Sequence, residues 1–167
     1  MDSCIINGKY RVSRWIDKTA ARNDHRGSAM ELLVAIEASP NSFKALERAA
    51  SIIATEGGSI TVATVAEMIP DLEEIFDYEE LHDKLRQKSK EILETAKNYC
   101  ESHSLAAKYV LLENQAPADS ILEYAENNPI DLIVVGSRAK KGLDKFLLGS
   151  VALKIVSHAQ CSVLVVR

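Results

Sequence analysis

The chain has 167 residues, of which 47% are hydrophobic, and this is the size and composition of one globular domain with a substantial core. Its formal net charge of −4 argues against general nucleic-acid binding, which needs a broad basic surface. No apolar run approaches the roughly 20 residues that cross a bilayer, and no signal-peptide pattern opens the chain. We therefore expect no nucleic-acid partner, no membrane partner and a cytoplasmic location.

The three cysteines, Cys4, Cys100 and Cys161, lie far apart in the sequence. They form no CxxC pattern and have no metal-ligand spacing with the histidines. We therefore expect no metal site, and cysteine side chains that are small, buried or half-buried, and reduced.

Residues 1–29 differ in composition from the rest of the chain, because they carry six Lys or Arg and only three Asp. We interpret them as an N-terminal extension or as a vector-derived segment, and residues 30–167 as the domain proper. In the first case, Asn7-Gly8 between two short apolar runs predicts a tight β-hairpin over residues 4–12. Two strands alone are marginally stable in water, so this hairpin would have to pack on the body of the protein or on a partner.

From Glu31 onward, apolar and β-branched runs alternate with amphipathic stretches. The short runs predict five strands, at 32–36, 59–66, 107–112, 132–135 and 162–166. Helical spacing of apolar residues predicts four helices, at 40–56, 78–103, 117–127 and 150–157. Residues 68–76 are predicted to form a mobile loop.

Local signals indicate where these helices begin and end. Ser39-Pro40 is typical of a helix start, and Gly57-Gly58 of a helix end, because glycine takes positive φ without strain. Asn128-Pro129 ends the third helix, since the residue before a proline avoids the helical region. The last helix is predicted to bury three apolar side chains: Val151, Leu153 and Ile155.

The connections between the strands are longer than a dozen residues, which predicts parallel pairing with right-handed crossovers. The predicted fold is therefore of the α/β class, an open five-stranded parallel sheet with helices on both faces. Ligands of such sheets bind beyond the carboxyl ends of the strands. The loops that follow Ile36 and Val135 at that edge are polar or contain glycine.

The second of these loops has a pattern typical of an anion site. The apolar run 132–135 stops at Gly136, a polar loop follows, and Gly149 opens a predicted helix. Proteins of the α/β class build phosphate sites in this way, from backbone N–H groups at a helix N-terminus. Structural alternatives stay open: the glycines serve a strand-end turn and a close helix–sheet contact, and Ser150 is a helix cap.

Several segments together resemble the universal stress protein family. They are LVAIEAS at 33–39, VGSR at 135–138, Gly142-Leu143, LLGSV at 147–151 and HAQCSVLVV at 158–166. The similarity runs over about residues 31–167 in the right order. It implies the strand order 3-2-1-4-5 and a homodimer formed through the edge strand from Cys161 to Arg167. One branch of the family binds ATP with a loop pattern of Gly-x-x-Gly, nine residues, and then Gly-Ser or Gly-Thr.

On that pattern, Gly136 takes the place of the first glycine and Ala139 that of the second. Nine residues separate Ala139 from Gly149-Ser150. Glu37 stands where the ATP-binding branch usually has Asp, and Val65 matches the position whose backbone faces adenine. The resemblance implies one set of nucleotide-contacting residues: Glu37, Ala38, Ser39, Val65, Gly136, Arg138, Ala139, Lys140, Gly142, Gly149, Ser150 and Val151.

Two departures from the pattern weaken this assignment. Alanine at position 139 costs roughly 1–2 kcal/mol if the loop needs positive φ there. Glu37 keeps the charge of Asp but reaches one methylene further. Lys140 and Lys141 act in the opposite direction, because they place two cations beside the loop.

We therefore expect a regulatory homodimer of the stress response that binds an adenine nucleotide, ATP or AMP, with Mg²⁺ as a companion of ATP. No nucleophile–base–acid set and no Walker lysine appears, so we expect no enzyme and at most slow, incidental ATP hydrolysis. The alternative is a dimeric interaction protein of the same family that has lost the nucleotide. An FMN-binding protein of flavodoxin-like fold is a third alternative.

Overall fold

Five parallel strands form the centre of the fold in a computed structural model of the chain, which describes residues 3–6, 10–13, 29–67, 78–114, 116–137 and 148–167. The strands are β1 (Ser3–Ile6), β2 (Tyr10–Ser13), β3 (Met30–Ala35), β4 (Gly58–Glu67), β5 (Ala107–Asn114), β6 (Leu132–Gly136) and β7 (Ser162–Val166). The helices are α1 (Pro40–Glu56), α2 (Tyr78–Ser102), α3 (Pro117–Asn127) and α4 (Ser150–His158). Every helix and strand predicted from Glu31 onward is present, and the predicted loop at 68–76 lies outside the described residues.

The seven strands form one sheet in the order β1-β2-β7-β6-β3-β4-β5. The five strands from β7 to β5 are parallel neighbours. When these five alone are numbered along the chain, their order is 3-2-1-4-5, so the predicted α/β sheet is confirmed. Strand β3 is central, because Val34 lies opposite both Val62 of β4 and Val134 of β6. The order of connections reverses between β3 and β6, and this is the place where open α/β sheets bind ligands.

Alternate residues of the central strands enter two separate cores. Leu32 packs in a cluster with Leu46 of α1, whereas Leu33 packs in a cluster with Ile121 of α3 and Ile155 of α4. Leu32 and Leu33 are both fully buried. Burial on both faces explains why these strands appear in the sequence as continuous apolar runs instead of alternating ones.

The ends of α1 follow the predicted signals. Ser39 is the N-cap, and its hydroxyl accepts a hydrogen bond from the backbone N–H of Ser42 at 3.3 Å. Pro40 occupies the first turn, where its missing N–H costs nothing. The helix ends before Gly57, which has a φ of 75° and donates its N–H to the carbonyl of Ile53.

Two of the three side chains predicted to be buried in α4 are exposed. Val151 is 36% exposed and Leu153 is 53% exposed, whereas Ile155 is buried as predicted, together with Ala152. The helix has nine residues and packs against α3 and β7. Residues 152 and 155 lie on one narrow face, and the positions beside them point away from the core.

The predicted state of the cysteines is confirmed where it is described. Cys100 is buried, Cys161 is half-buried, and both thiols are free. Burial raises the pKa of each thiol above its ordinary value, which keeps both protonated and poorly nucleophilic at neutral pH. The side chain of Cys4 lies outside the described residues.

The N-terminal strands extend the sheet beyond β7. Strands β1 and β2 pair antiparallel, as the Asn-Gly signal predicted, and Asn7-Gly8 itself lies outside the described residues. Strand β2 also pairs antiparallel with β7, with Arg11 opposite Val165 and Ser13 opposite Val163. The hairpin therefore packs on the body of the protein, and β7 lies between β6 and β2.

Gly136 ends β6 at the point where α1 begins beside it. A Cβ atom on this residue would lie 2.7 Å from the backbone carbonyl of Asn41 and 2.7 Å from the backbone nitrogen of Ser42. A side chain cannot approach backbone atoms so closely, so the contact between sheet and helix needs glycine here. One of the structural alternatives, the close helix–sheet contact, therefore accounts for Gly136 without a ligand.

The Gly136→Ala variant is expected to lower the free energy of unfolding by about 1–3 kcal/mol, because the added methyl group displaces the first turn of α1. Urea denaturation followed by far-ultraviolet circular dichroism, in the absence of nucleotide, measures this change. An unfolding midpoint equal to that of the parent chain would contradict the close approach.

Candidate functional site

A cavity of about 380 Å³ opens at the carboxyl edge of the parallel strands. The ends of β3, β4 and β6 form its floor, and residues of all four helices form its sides. It lies beyond the ends of the paired strands β3 and β6, where the order of connections reverses. Its lining consists of Ala35, Ile36, Glu37, Ser42, Ala63, Thr64, Val65, Glu67, Ile92, Pro117, Ile121, Val135, Gly136, Gly149, Ser150, Val151 and Ala152.

The structure brings half of the predicted nucleotide-contacting residues together around this cavity. Six of them line it: Glu37, Val65, Gly136, Gly149, Ser150 and Val151. Ala38 is exposed and is not part of the lining, and Ser39 serves as the cap of α1. The other four lie outside the described residues: Arg138, Ala139, Lys140 and Gly142.

Hydrogen bonds hold the loop after β3 in place. The Ser42 hydroxyl donates to the backbone carbonyl of Glu37 at 2.5 Å and to that of Ser39 at 2.9 Å. Ser42 is 1% exposed, so these bonds are shielded from water. The backbone from which the Glu37 side chain extends is therefore a fixed part of the cavity wall.

A further hydrogen bond joins the first turn of α1, which follows this loop, to the residue after β6. The Asn41 side-chain amide donates to the backbone carbonyl of Ser137 at 2.6 Å. The backbone N–H of Ser137 in turn donates to the carbonyl of Val166 in β7 at 2.7 Å. Because of these bonds, the first turn of α1 lies beside Ser137, and the residue that follows β6 is tied to the sheet.

The third wall of the cavity is the N-terminus of α4. Gly149 is the N-cap and has no side chain that could hydrogen-bond the first turn, while Ser150 is the first helical residue. The alternative that Ser150 is the helix cap is therefore wrong. Backbone N–H groups of a first helical turn carry partial positive charge, so this end of the cavity favours an anion.

Sequence reasoning missed several lining residues, of which Glu67 and Ile92 are the most informative. Glu67 ends β4 two residues after Val65, and the period-two rule for strands places both side chains on one face. The period-two rule could therefore have predicted Glu67 as a lining residue from the sequence. Ile92 lies in the middle of α2, and only the packing of α2 over the sheet brings it to the cavity.

The charged side chains in the described lining are two carboxylates, Glu37 and Glu67. Within the described parts of the chain, no group of three His, Cys, Asp or Glu residues could hold a metal ion. None of the helices in those parts is long and apolar enough to cross a membrane. The described lining thus combines an apolar body with acidic groups at its mouth and a helix N-terminus at one end.

Relatives of the chain agree with this architecture. Residues 30–167 match the model of the universal stress protein family. The universal stress protein YxiE of Bacillus subtilis is 30% identical over 148 residues, which is 82% of this chain and 98% of the relative. A universal stress protein of Methanocaldococcus jannaschii is 38% identical over 90 residues, 54% of this chain. That match spans about half of the relative's length, 52%.

Solved structures share the fold. Universal stress protein UspA from Lactobacillus plantarum has a TM-score of 0.70 at 24% identity, over 83% of this chain and 98% of that one. The Archaeoglobus fulgidus protein in complex with dAMP has a TM-score of 0.61 at 22% identity, over 83% and 98%. The Arabidopsis thaliana family protein with AMP bound has a TM-score of 0.60 at 22% identity, over 81% and 90%.

The sheet order and the cavity at its switch point define an α/β domain of the open, doubly wound class with a ligand-sized site at the carboxyl edge. Within that class, the match over residues 30–167 is specific, and the resemblance seen in the sequence is confirmed. The chain belongs to the universal stress protein family.

The Ser42→Ala variant is expected to lower the free energy of unfolding by about 1–2 kcal/mol, because two carbonyl groups lose a shielded hydrogen-bond donor. Ser51→Ala is the matched control on the same helix. Its exposed hydroxyl bonds the Glu47 carbonyl, and its removal should change stability by less than about 0.5 kcal/mol. Urea denaturation of both variants measures the difference, and equal effects would contradict a special role for Ser42.

Proposed function

We propose that this chain binds an adenine nucleotide, ATP or AMP, in the cavity and acts as a cytoplasmic regulatory protein of the stress response. One observation carries the proposal: the cavity at the switch point is bounded by the uncapped N-terminus of α4 on one side and by the apolar ends of strands on the other. Phosphate suits the first and a purine ring suits the second. The relatives that hold dAMP and AMP support this choice of ligand class.

The proposed orientation follows from charge. The phosphates lie toward Gly149 and the first turn of α4, because helix N–H groups attract anions and carboxylates repel them. The ribose lies near Glu37, whose carboxylate accepts hydrogen bonds from hydroxyl groups. The adenine lies against Val65 at the end of β4. With ATP, Mg²⁺ accompanies the phosphates, and Arg138 to Lys140 and Gly142 complete the site.

We also propose that the chain is not an enzyme. No histidine or cysteine lies in the described lining of the cavity, so the described residues supply no nucleophile–base pair to a bound phosphate. Serine hydroxyl groups alone, such as that of Ser150, are weak nucleophiles without an adjacent base. The function then lies in a change of loop order or assembly on binding, with at most slow, incidental hydrolysis of ATP.

Isothermal titration of the full chain tests nucleotide binding directly. AMP, and ATP with Mg²⁺, are expected to bind with a Kd below about 1 mM and one site per chain. Adenosine is expected to bind at least about tenfold more weakly, because it lacks the phosphate that α4 attracts. No heat at millimolar nucleotide would reject the proposal and leave the alternative, an interaction protein that has lost the nucleotide.

The expected homodimer would form through the outer edge of the strand from Cys161 to Arg167. The N-terminal hairpin occupies that same edge. Strand β2 already pairs with the outer edge of β7, at Val163, Leu164 and Val165. We propose that a second copy pairs with β7 when the hairpin is displaced. An unpaired apolar edge strand favours such pairing, and a twofold axis would close it.

Removal of residues 1–28 is therefore expected to convert a monomer into a dimer, as measured by sedimentation equilibrium. The full-length variant Val12→Pro serves as a second test, because proline interrupts a strand whose residue 12 faces both Cys4 and Leu164. Substitutions in β7 are less suitable, since Val163 and Leu164 are buried in the two cores. The same oligomeric state for all three proteins would contradict competition for this edge.

A further inference from the structure

Glu67 lines the cavity at the end of β4, whereas α4 packs against β7 on the other side of the central strand β3. Strand β4 pairs with β3 only as far as Ala63, whereas its pairing with β5 continues to Glu67. The last residues of β4 therefore project beyond the end of β3, over the opening between β3 and the helices. Period-two alternation places the Glu67 side chain on the same face as Val65, and both residues line the cavity.

The Glu67 carboxylate is exposed and makes no hydrogen bond or ion pair with any other described residue. This distinguishes it from Glu113 of the neighbouring strand β5, which lies opposite Ala66 and whose carboxylate pairs with the Arg86 guanidinium at 2.8 Å. That guanidinium also lowers the pKa of Glu113. Within the described structure, Glu67 thus offers a carboxylate that is open to a ligand in the cavity.

The two ends of the cavity consequently favour opposite charges. The N-terminus of α4 attracts negative charge at one end, and the Glu67 carboxylate repels it at the other. A nucleotide with its phosphate at α4 places its base at the β4 end. An ionised carboxylate is solely an acceptor, so it favours a base that presents N–H donors toward it.

We propose that Glu67 determines base specificity by accepting a hydrogen bond from the amino group at position 6 of adenine. This inference rests on the proposed nucleotide binding and adds a residue to it. Hypoxanthine carries a carbonyl oxygen at position 6 in place of the amino group. In the same orientation of the base, that oxygen and the carboxylate are two acceptors that face each other with no proton between them, which is unfavourable.

The experiment is a titration of AMP and IMP into the parent chain, Glu67→Gln and Glu56→Gln. Glu56→Gln is the matched control, because it removes the same charge from an exposed residue at the far end of α1. The parent chain and the control are expected to bind AMP at least about tenfold more tightly than IMP. In Glu67→Gln the preference is expected to fall below about threefold, because an amide can either donate or accept.

The outcomes separate the two proposals. If the parent chain binds neither nucleotide, nucleotide binding is wrong and the role of Glu67 falls with it. If the parent chain binds AMP and Glu67→Gln keeps the full preference over IMP, nucleotide binding stands and the role of Glu67 is overturned. An equal loss of AMP and IMP affinity in Glu67→Gln would also overturn it, since that pattern indicates a contact shared by both ligands, such as one through Mg²⁺. Matching circular dichroism spectra of the three proteins verify that each is folded.

Discussion

The contact between the end of β6 and the first turn of α1 is the constraint on which the site depends. The lack of a side chain at Gly136 lets the backbone of Asn41 approach β6. The Asn41 side chain then holds the Ser137 carbonyl at 2.6 Å. These two features bring the loop after β3 and the exit from β6 together at the switch point of the sheet.

The same contact gives Gly136, a residue of the predicted site, a structural explanation of its own. The packing of α1 already requires glycine at position 136, whatever binds above it. The first position of this glycine pattern is therefore explained by packing. The N-terminus of α4 differs, because Gly149 caps it and gives the first turn no side-chain hydrogen bond. The N-terminus of α4 is therefore stronger support for an anion site than Gly136 is.

The edge of the sheet presents a second constraint. In an open sheet, the strands at both ends have unpaired backbone groups, and one of these ends would be β7 in the five-stranded sheet alone. Pairing with β2 satisfies those groups within one chain. The two central cores are unaffected by this pairing, because the side chains of β7 point into them and the hairpin contacts its backbone edge. Backbone pairing at this edge and side-chain packing in the cores are thus two separate features of the molecule.

Local patterns in the sequence determined the helices, the five central strands and their parallel pairing, because helix caps, glycines and apolar runs act over a few residues and long crossovers are right-handed. The order of the strands followed from the resemblance to the family. Half of the predicted site residues also meet at the cavity, since strand ends converge on one edge of a parallel sheet. Tertiary structure alone decided that Ile92 of α2 forms part of the lining, that Val151 and Leu153 of α4 are exposed, and that β2 pairs with β7. Each of these depends on the packing of elements that are distant along the chain, and periodicity within one element carries no information about its neighbours.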